Sequence, residues 1–279
     1  MPELPEVETV VRALRPLLTG RSVNAVRVLN ASTVAGSLVP LARLAGLSIQ
    51  AVERQGKYIW IHGSGARSLV VHLRMTGWLG VLSRAEFDRR ADPYVRLTLE
   101  LDAKPGAEPD LLVFRDIRKF GRVWGGPTQA LAALKALAKL GPDPLVIESA
   151  AFLARLRARR GRLKTLLLDQ TFLAGVGNIY ADEALFRAGI HPLAEAARLS
   201  APRAERLRMA IGEILNRSIE AGGSTISDYY HPDGQPGWFE RELRVYGRGG
   251  EACLECGAKI KRIVLGQRST CFCPKCQRK

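Results

Sequence analysis

Apolar residues near the start of the chain recur at helical spacing. Val7, Val10, Val11, Leu14, Leu17 and Leu18 fall on one stripe, which predicts an amphipathic helix. Pro5 suits its first turn, where a missing N–H costs nothing. Glu6 complements the positive end of the helix dipole. From about residue 22 to 125 the period shortens. SVNAVRVLN alternates, and KYIWIHG, SLVVHLRM, VRLTLELD and LLVFRD are short apolar runs separated by Gly, Ser, Asp and Pro. Several short strands at this spacing predict a β-sandwich or barrel. The stretch GGPTQALAALKALAKLGPDP, residues 125–144, reads as one Ala/Leu helix acting as a connector. Residues 150 to about 222 are patterned as helices. A polar, Gly/Pro-rich stretch and a compact basic tail follow.

With 279 residues, 47% of them hydrophobic, the chain can bury a sizeable core, and a disordered chain is excluded. No apolar run reaches the roughly 18 residues of a membrane span. The start lacks the layout of a signal peptide, so a cytosolic location is expected. Lys plus Arg number 42 against 27 acids, a formal charge of +15. That excess favours polyanions, nucleic acid first and acidic membrane second.

All five cysteines lie between 253 and 276. Cys253-Leu-Glu-Cys256 and Cys273-Pro-Lys-Cys276 form two close thiol pairs separated by a hairpin-length insert. This spacing suits one structural zinc ion, because four protein ligands leave no open position for catalysis. Cys271 is left as a free thiol. Between the pairs, AKIKRIVLGQRSTCFC reads as strand, turn, strand, with Arg268 near the tip. Residues 241–279 hold ten Lys/Arg and three acids, consistent with a basic hairpin that grips DNA. Farther upstream, LLLDQTFLAGVGNIYADEALF joins two helices through a turn with Gly175 and Gly177, and Asn178 is expected to cap the second helix. The N–H groups of such a turn can hold a phosphate. The preceding ARLRARRGRLK has six basic residues and no acid, and reads equally as a phosphate-binding or a solvated helix face.

Together, PELPEVET, LAGVGNIYADEALFRAGIHP, YGRGGEACLECG and RSTCFCPKCQ resemble, in order and along the whole chain, the formamidopyrimidine-DNA glycosylase family. Endonuclease VIII shares its plan but acts on oxidised pyrimidines. The resemblance implies an α+β fold. It would have an N-terminal β-sandwich catalytic domain with flanking helices (1–125) and a linker (126–149). A helical helix–two-turn–helix domain (150–240) and a β-hairpin zinc finger (241–279) would follow. A loop at 226–239 would cover the damaged base.

The same resemblance assigns roles to residues. Pro2, exposed by removal of Met1, would be the nucleophile, Glu3 its acid/base partner and Glu6 an aid nearby. Lys57 would contact phosphate and donate a proton. Asn178 and Arg268 would grip phosphate, with Arg268 also acting in the later elimination. Met75, Arg118 and Phe120 would fill the hole left by the flipped base. His72, Arg160, Lys164 and Tyr246 would complete the DNA-contacting set, and Tyr94 would stand where the family often has a histidine. The chain departs from the family elsewhere too, with Asp-Ile-Arg-Lys-Phe for Asp-Pro-Arg-Arg-Phe and Cys271 where an aromatic is common.

A free N-terminal proline is a secondary amine, with a reference pKa of roughly 7.7–8.0. Its adduct at the sugar can expel the base and become an iminium, which acidifies the neighbouring C–H and permits β,δ-elimination. The expected function is therefore a bifunctional glycosylase and abasic-site lyase. Its partner would be double-stranded DNA carrying oxidised purines or abasic sites. A monomer in the bacterial cytosol, associated with the nucleoid, is expected. The rival readings are an enzyme for oxidised pyrimidines and a non-catalytic, zinc-dependent DNA-damage-binding protein.

Overall fold

The computed structural model describes residues 1–103, 110–224 and 237–279. The chain forms two compact units, Met1–Ala138 with Gly222–Gly237, and Lys139–Ala221 with Trp238–Lys279.

The first unit begins with helix α1, Leu4–Leu18. The strands β1 (Val23–Val28), β2 (Ile49–Gln55), β3 (Tyr58–Gly63), β4 (Arg67–His72), β5 (Gly77–Leu82), β6 (Val95–Leu101), β7 (Leu111–Asp116) and β8 (Arg122–Pro127) follow, with a short α2 (Arg84–Arg90) between β5 and β6. They build two four-stranded antiparallel sheets, ordered β1-β6-β7-β5 and β2-β3-β4-β8. The architecture is a sandwich, not a closed barrel. Val7, Val10, Val11, Leu14 and Leu18 of α1 share one core with Ile59 and Val71 of one sheet and Leu97, Leu112 and Phe114 of the other. Leu17, expected on this buried stripe, is exposed in the last turn. The β2–β3 hairpin closes through Gly56 and Lys57, with Gly56 at φ +58°, a left-handed conformation that glycine adopts cheaply.

The expected connector helix is broken into α3 (Thr128–Ala132) and α4 (Lys135–Ala138). Leu131 and Leu137 are both buried. In one continuous helix six residues turn by about 240°, which would point them to different sides. The break lets both reach the interior.

The second unit contains α5 (Ser149–Arg157), α6 (Leu163–Leu168), α7 (Asn178–Arg187), α8 (Ala201–Glu220) and the hairpin β9 (Lys261–Leu265) and β10 (Arg268–Phe272). Gly266 and Gln267 both have positive φ, +53° and +62°. This is the two-residue mirror turn whose twist matches antiparallel strands, and it places Arg268 at the tip side of β10. Among the described residues no helix is long and apolar enough to cross a membrane.

Leu14 is fully buried against both sheets. Leu14→Ala should destabilise the first unit by about 2–5 kcal/mol, through lost burial and the cavity left behind. Chemical denaturation would measure the loss.

Candidate active site and nucleic-acid interface

Pro2 and Glu3 are buried where α1 begins, and Glu3 occupies the cap position with extended backbone. The Glu3 N–H donates to Glu6 Oε2 at 2.8 Å. Glu6 Oε1 accepts from both the N–H and the hydroxyl of Ser224, each at 2.9 Å. Glu6 is thus more than a dipole partner: it brackets the backbone of Glu3 and Ser224 together.

Lys57 is buried at the β2–β3 turn, and His72 is buried at the end of β4. The ring of Tyr58 meets His72 edge-on at 4.6 Å. Burial pushes the His72 imidazole down to about 3, and the nearby charges of Arg74 and Lys57 push the same way. The ring is therefore neutral. Its Nδ1 accepts the N–H of Arg74 at 3.0 Å, so the proton sits on Nε2 and His72 is a hydrogen-bond donor there.

Met75 is half-buried in the turn after β4, while Arg118 and Phe120 are exposed in the turn after β7. The Arg118 guanidinium lies 4.7 Å from the centre of the Phe120 ring, within cation–π range. Tyr94 is exposed, with the guanidinium carbons of Arg96 and Arg115 at 5.8 and 5.6 Å from its ring centre. Asp92 holds this turn by accepting the Tyr94 N–H and the Arg115 guanidinium.

In the second unit, the cap of α7 is Gly177, and Asn178 is the first helical residue. Its side chain does not cap: Nδ2 donates to the Ser269 carbonyl at 3.0 Å. The Gly175 N–H is also engaged internally, with Gln170 Oε1 at 2.9 Å. Arg160 and Arg268 are exposed, whereas Tyr246 is half-buried.

Lys164 requires a correction. Expected at the DNA surface, its side chain is fully buried, with Nζ 2.6 Å from Asp182 Oδ1 and 2.9 Å from the Asn178 carbonyl. A buried ammonium needs such a partner. Burial pushes Asp182 up to about 6, against the pull of Lys164. The other oxygen of Asp182 accepts the Cys271 N–H at 3.0 Å. Asp182 and the Asn178 amide therefore both tie α7 to β10. Glu183, raised by burial, accepts the backbone N–H groups of Arg244, Val245 and Tyr246.

The sulfurs of Cys253, Cys256, Cys273 and Cys276 all lie within 4.8 Å of one another. Cys253–Cys276 and Cys256–Cys273 are 3.9 and 3.5 Å apart. A disulfide needs about 2.05 Å, whereas tetrahedral zinc at about 2.3 Å from each sulfur requires about 3.8 Å between sulfurs. The four residues fit one zinc ion. Gly257, at φ +74°, donates its N–H to the Cys253 carbonyl, and Gln277 N–H returns to the Cys273 carbonyl. Each thiol pair is thereby folded into a tight turn. Cys271 is buried on β10 outside the cluster.

Ser224, Thr76 and Arg96 are assigned no role by a reading of the sequence, and Asp116 enters it only as the first residue of the Asp-Ile-Arg-Lys-Phe stretch. Asp116 is also an acid at the end of an apolar strand before a polar turn.

Three family models match the chain: the formamidopyrimidine-DNA glycosylase N-terminal domain at 1–123, its H2TH domain at 140–230, and the zinc finger found in FPG and IleRS at 250–278. The formamidopyrimidine-DNA glycosylases of Solibacter usitatus and Stenotrophomonas maltophilia are 44% and 43% identical, over 100% of both chains in each pair. The crystal structure of the MutM (Fpg) protein of Thermus thermophilus aligns with a TM-score of 0.85 at 41% identity, covering 99% of this chain and 98% of that one. The Lactococcus lactis Fpg in complex with DNA containing an abasic site aligns at 0.88 and 35% identity, covering 99% and 100%.

Two outcomes follow from this geometry. Nuclear magnetic resonance should find His72 as the Nε2–H tautomer, with no titration between pH 8 and 5. The folded chain refuses a proton that the unfolded chain accepts below its ordinary pKa of about 6.5. His72 therefore stabilises the fold fully above pH 6.5, and that contribution is lost as pH falls towards 3. Separately, metal chelation should open the hairpin, since such small sites fold with their metal. A thiol reagent should then label Cys271 as fast as the four ligands, whereas in the zinc-loaded protein it stays protected.

Proposed function

The chain belongs to the formamidopyrimidine-DNA glycosylase family, and on that premise we propose that it is a bifunctional DNA glycosylase and abasic-site lyase. Its substrates are oxidised purines, 8-oxoguanine and formamidopyrimidines, in duplex DNA. The reading is carried above all by Pro2 and Glu3, buried at the start of α1 and bracketed by Glu6.

With Met1 removed, the Pro2 nitrogen attacks the anomeric carbon of the damaged nucleotide and the base departs with a proton. Glu3 moves protons between the sugar oxygen, the amine and the leaving base. The iminium so formed makes the adjacent sugar C–H acidic. Successive eliminations release the two phosphates, and hydrolysis frees Pro2. The base must first leave the helix, at a cost of a few kcal/mol. Met75 and Phe120 offset that cost by filling the space, and Arg118 bonds the orphaned partner base. Lys57, His72, Asn178, Arg268, Arg160, Tyr94 and Tyr246 meet the backbone, His72 as a neutral donor and the cations through charge. Zinc acts structurally, by holding the hairpin that carries Arg268. The proposed divisions are 1–125, 126–149, 150–240 and 241–279, in a monomer of the bacterial cytosol. The covering loop assigned to 226–239 lies mainly outside the described residues.

Borohydride added during reaction with an 8-oxoguanine duplex should trap a covalent protein–DNA adduct. Chain mass should show loss of Met1, and Pro2→Gly should abolish strand cleavage while DNA binding persists. Faster excision of thymine glycol than of 8-oxoguanine would move the substrate to oxidised pyrimidines. No adduct from Met-free protein would sink the mechanism.

A further inference from the structure

Three turns of the first unit carry the side chains assigned above to the opened duplex. Met75 follows β4, Tyr94 precedes β6, and Arg118 and Phe120 follow β7. All three converge on Asp116, which is 0% exposed. Its N–H donates to the Tyr94 carbonyl at 3.0 Å. Its carbonyl accepts Arg96 Nε at 2.8 Å, and the same guanidinium holds the Pro93 carbonyl at 3.2 Å. Its Oδ1 accepts the Thr76 hydroxyl at 2.5 Å and the Arg118 N–H at 3.2 Å. Its Oδ2 accepts the Gly121 N–H at 2.7 Å. Thr76 Oγ1 itself accepts the Arg118 N–H at 3.2 Å, closing a small ring of bonds.

We propose that Asp116, acting through Thr76, is a positioning residue that locks the turns after β4 and β7 into one rigid edge for entry into the duplex, while its main chain holds the turn before β6. This rests on the functional reading above. Wedge side chains that move independently would have to be ordered against each other as the base leaves. Bonds to a buried carboxylate are charge-assisted and strong, so that ordering is already complete in the folded protein. The turn after β7 shows the same constraint: Lys119 has φ +59°, and a Cβ on Gly121 would meet Phe114 Cζ at 2.5 Å and Asp116 Oδ2 at 3.1 Å. Asp116 and Thr76 are buried, so they act through Met75, Arg118 and Phe120 and not on DNA directly.

Thr76→Val keeps the side-chain shape and removes the hydroxyl. Excision from an 8-oxoguanine duplex should fall about tenfold or more in kcat/KM, since a displacement of about 1 Å can cost that much. Thr76→Ser should restore it to within about twofold. On a single-stranded oligonucleotide with a preformed abasic site, where no base is unstacked, Thr76→Val should cleave like the wild type. Added to Arg118→Ala, it should cost little more, because the two changes disable one device. Asp116→Asn should follow the same pattern if it folds. Thr76→Val overturns the proposal if it loses equally on both substrates, or nothing on the duplex. A wild-type protein inactive on both substrates overturns the functional reading, and the proposal with it.

Discussion

Backbone N–H groups drawn out of water must find acceptors, because an orphaned one costs as much as a lost hydrogen bond. Strands and helices meet this rule internally. Turns cannot, and here many of the residues proposed for the site sit on turns or at the ends of elements. The fold answers with buried carboxylates. Glu6 takes the N–H groups of Glu3 and Ser224. Asp116 takes those of Arg118 and Gly121. Asp182 takes that of Cys271, and Glu183 those of Arg244, Val245 and Tyr246. A charged acceptor is worth about 1.5–3 kcal/mol per bond, and a carboxylate has room for several. Irregular backbone is thereby held as firmly as a strand.

The two units differ in what backs these carboxylates. In the first, the sandwich core and α1 supply ample apolar burial. In the second, the hairpin region is short and basic, and a chain of about 40 residues rarely builds a sufficient core alone. Two devices compensate. The four thiols fit a zinc ion that clips the ends of the hairpin. The Lys164–Asp182 pair joins helix to hairpin from within. Such a buried pair adds little net stability, yet removal of one partner leaves an uncompensated charge at a cost of about 3–5 kcal/mol. It therefore specifies how α7 and β10 meet more than how strongly.

Periodic features were legible in the sequence: the α1 stripe, the short strands, the thiol spacing and the hairpin around Gly266. They repeat locally, so sequence distance equals structural distance. Lys164 departs from expectation because a lysine in a basic stretch reads as solvated. Its partner stands 18 residues away, across the turn. Asn178 reads as a cap because capping is a local habit of Asn, yet its partner is Ser269, 91 residues on. Asp116 stands in the Asp-Ile-Arg-Lys-Phe stretch, but nothing local pairs it with Thr76, 40 residues away. The expected connector helix failed for the same reason: Ala/Leu propensity favours one helix, but burial of Leu131 and Leu137 decides.

Composition treats every acid as an equal debit against the attraction for polyanions. Glu3, Glu6, Asp116, Asp182 and Glu183 are withdrawn into the interior, as are Lys57, Arg96 and Lys164. More negative than positive charge is hidden among the described residues, so the solvent-facing surface is more cationic than the formal +15 suggests. At physiological salt that field reaches only about 8 Å. Acids placed inside organise the backbone and leave most of the cations in contact with solvent, so one partition of the same side chains serves both internal order and the charged surface.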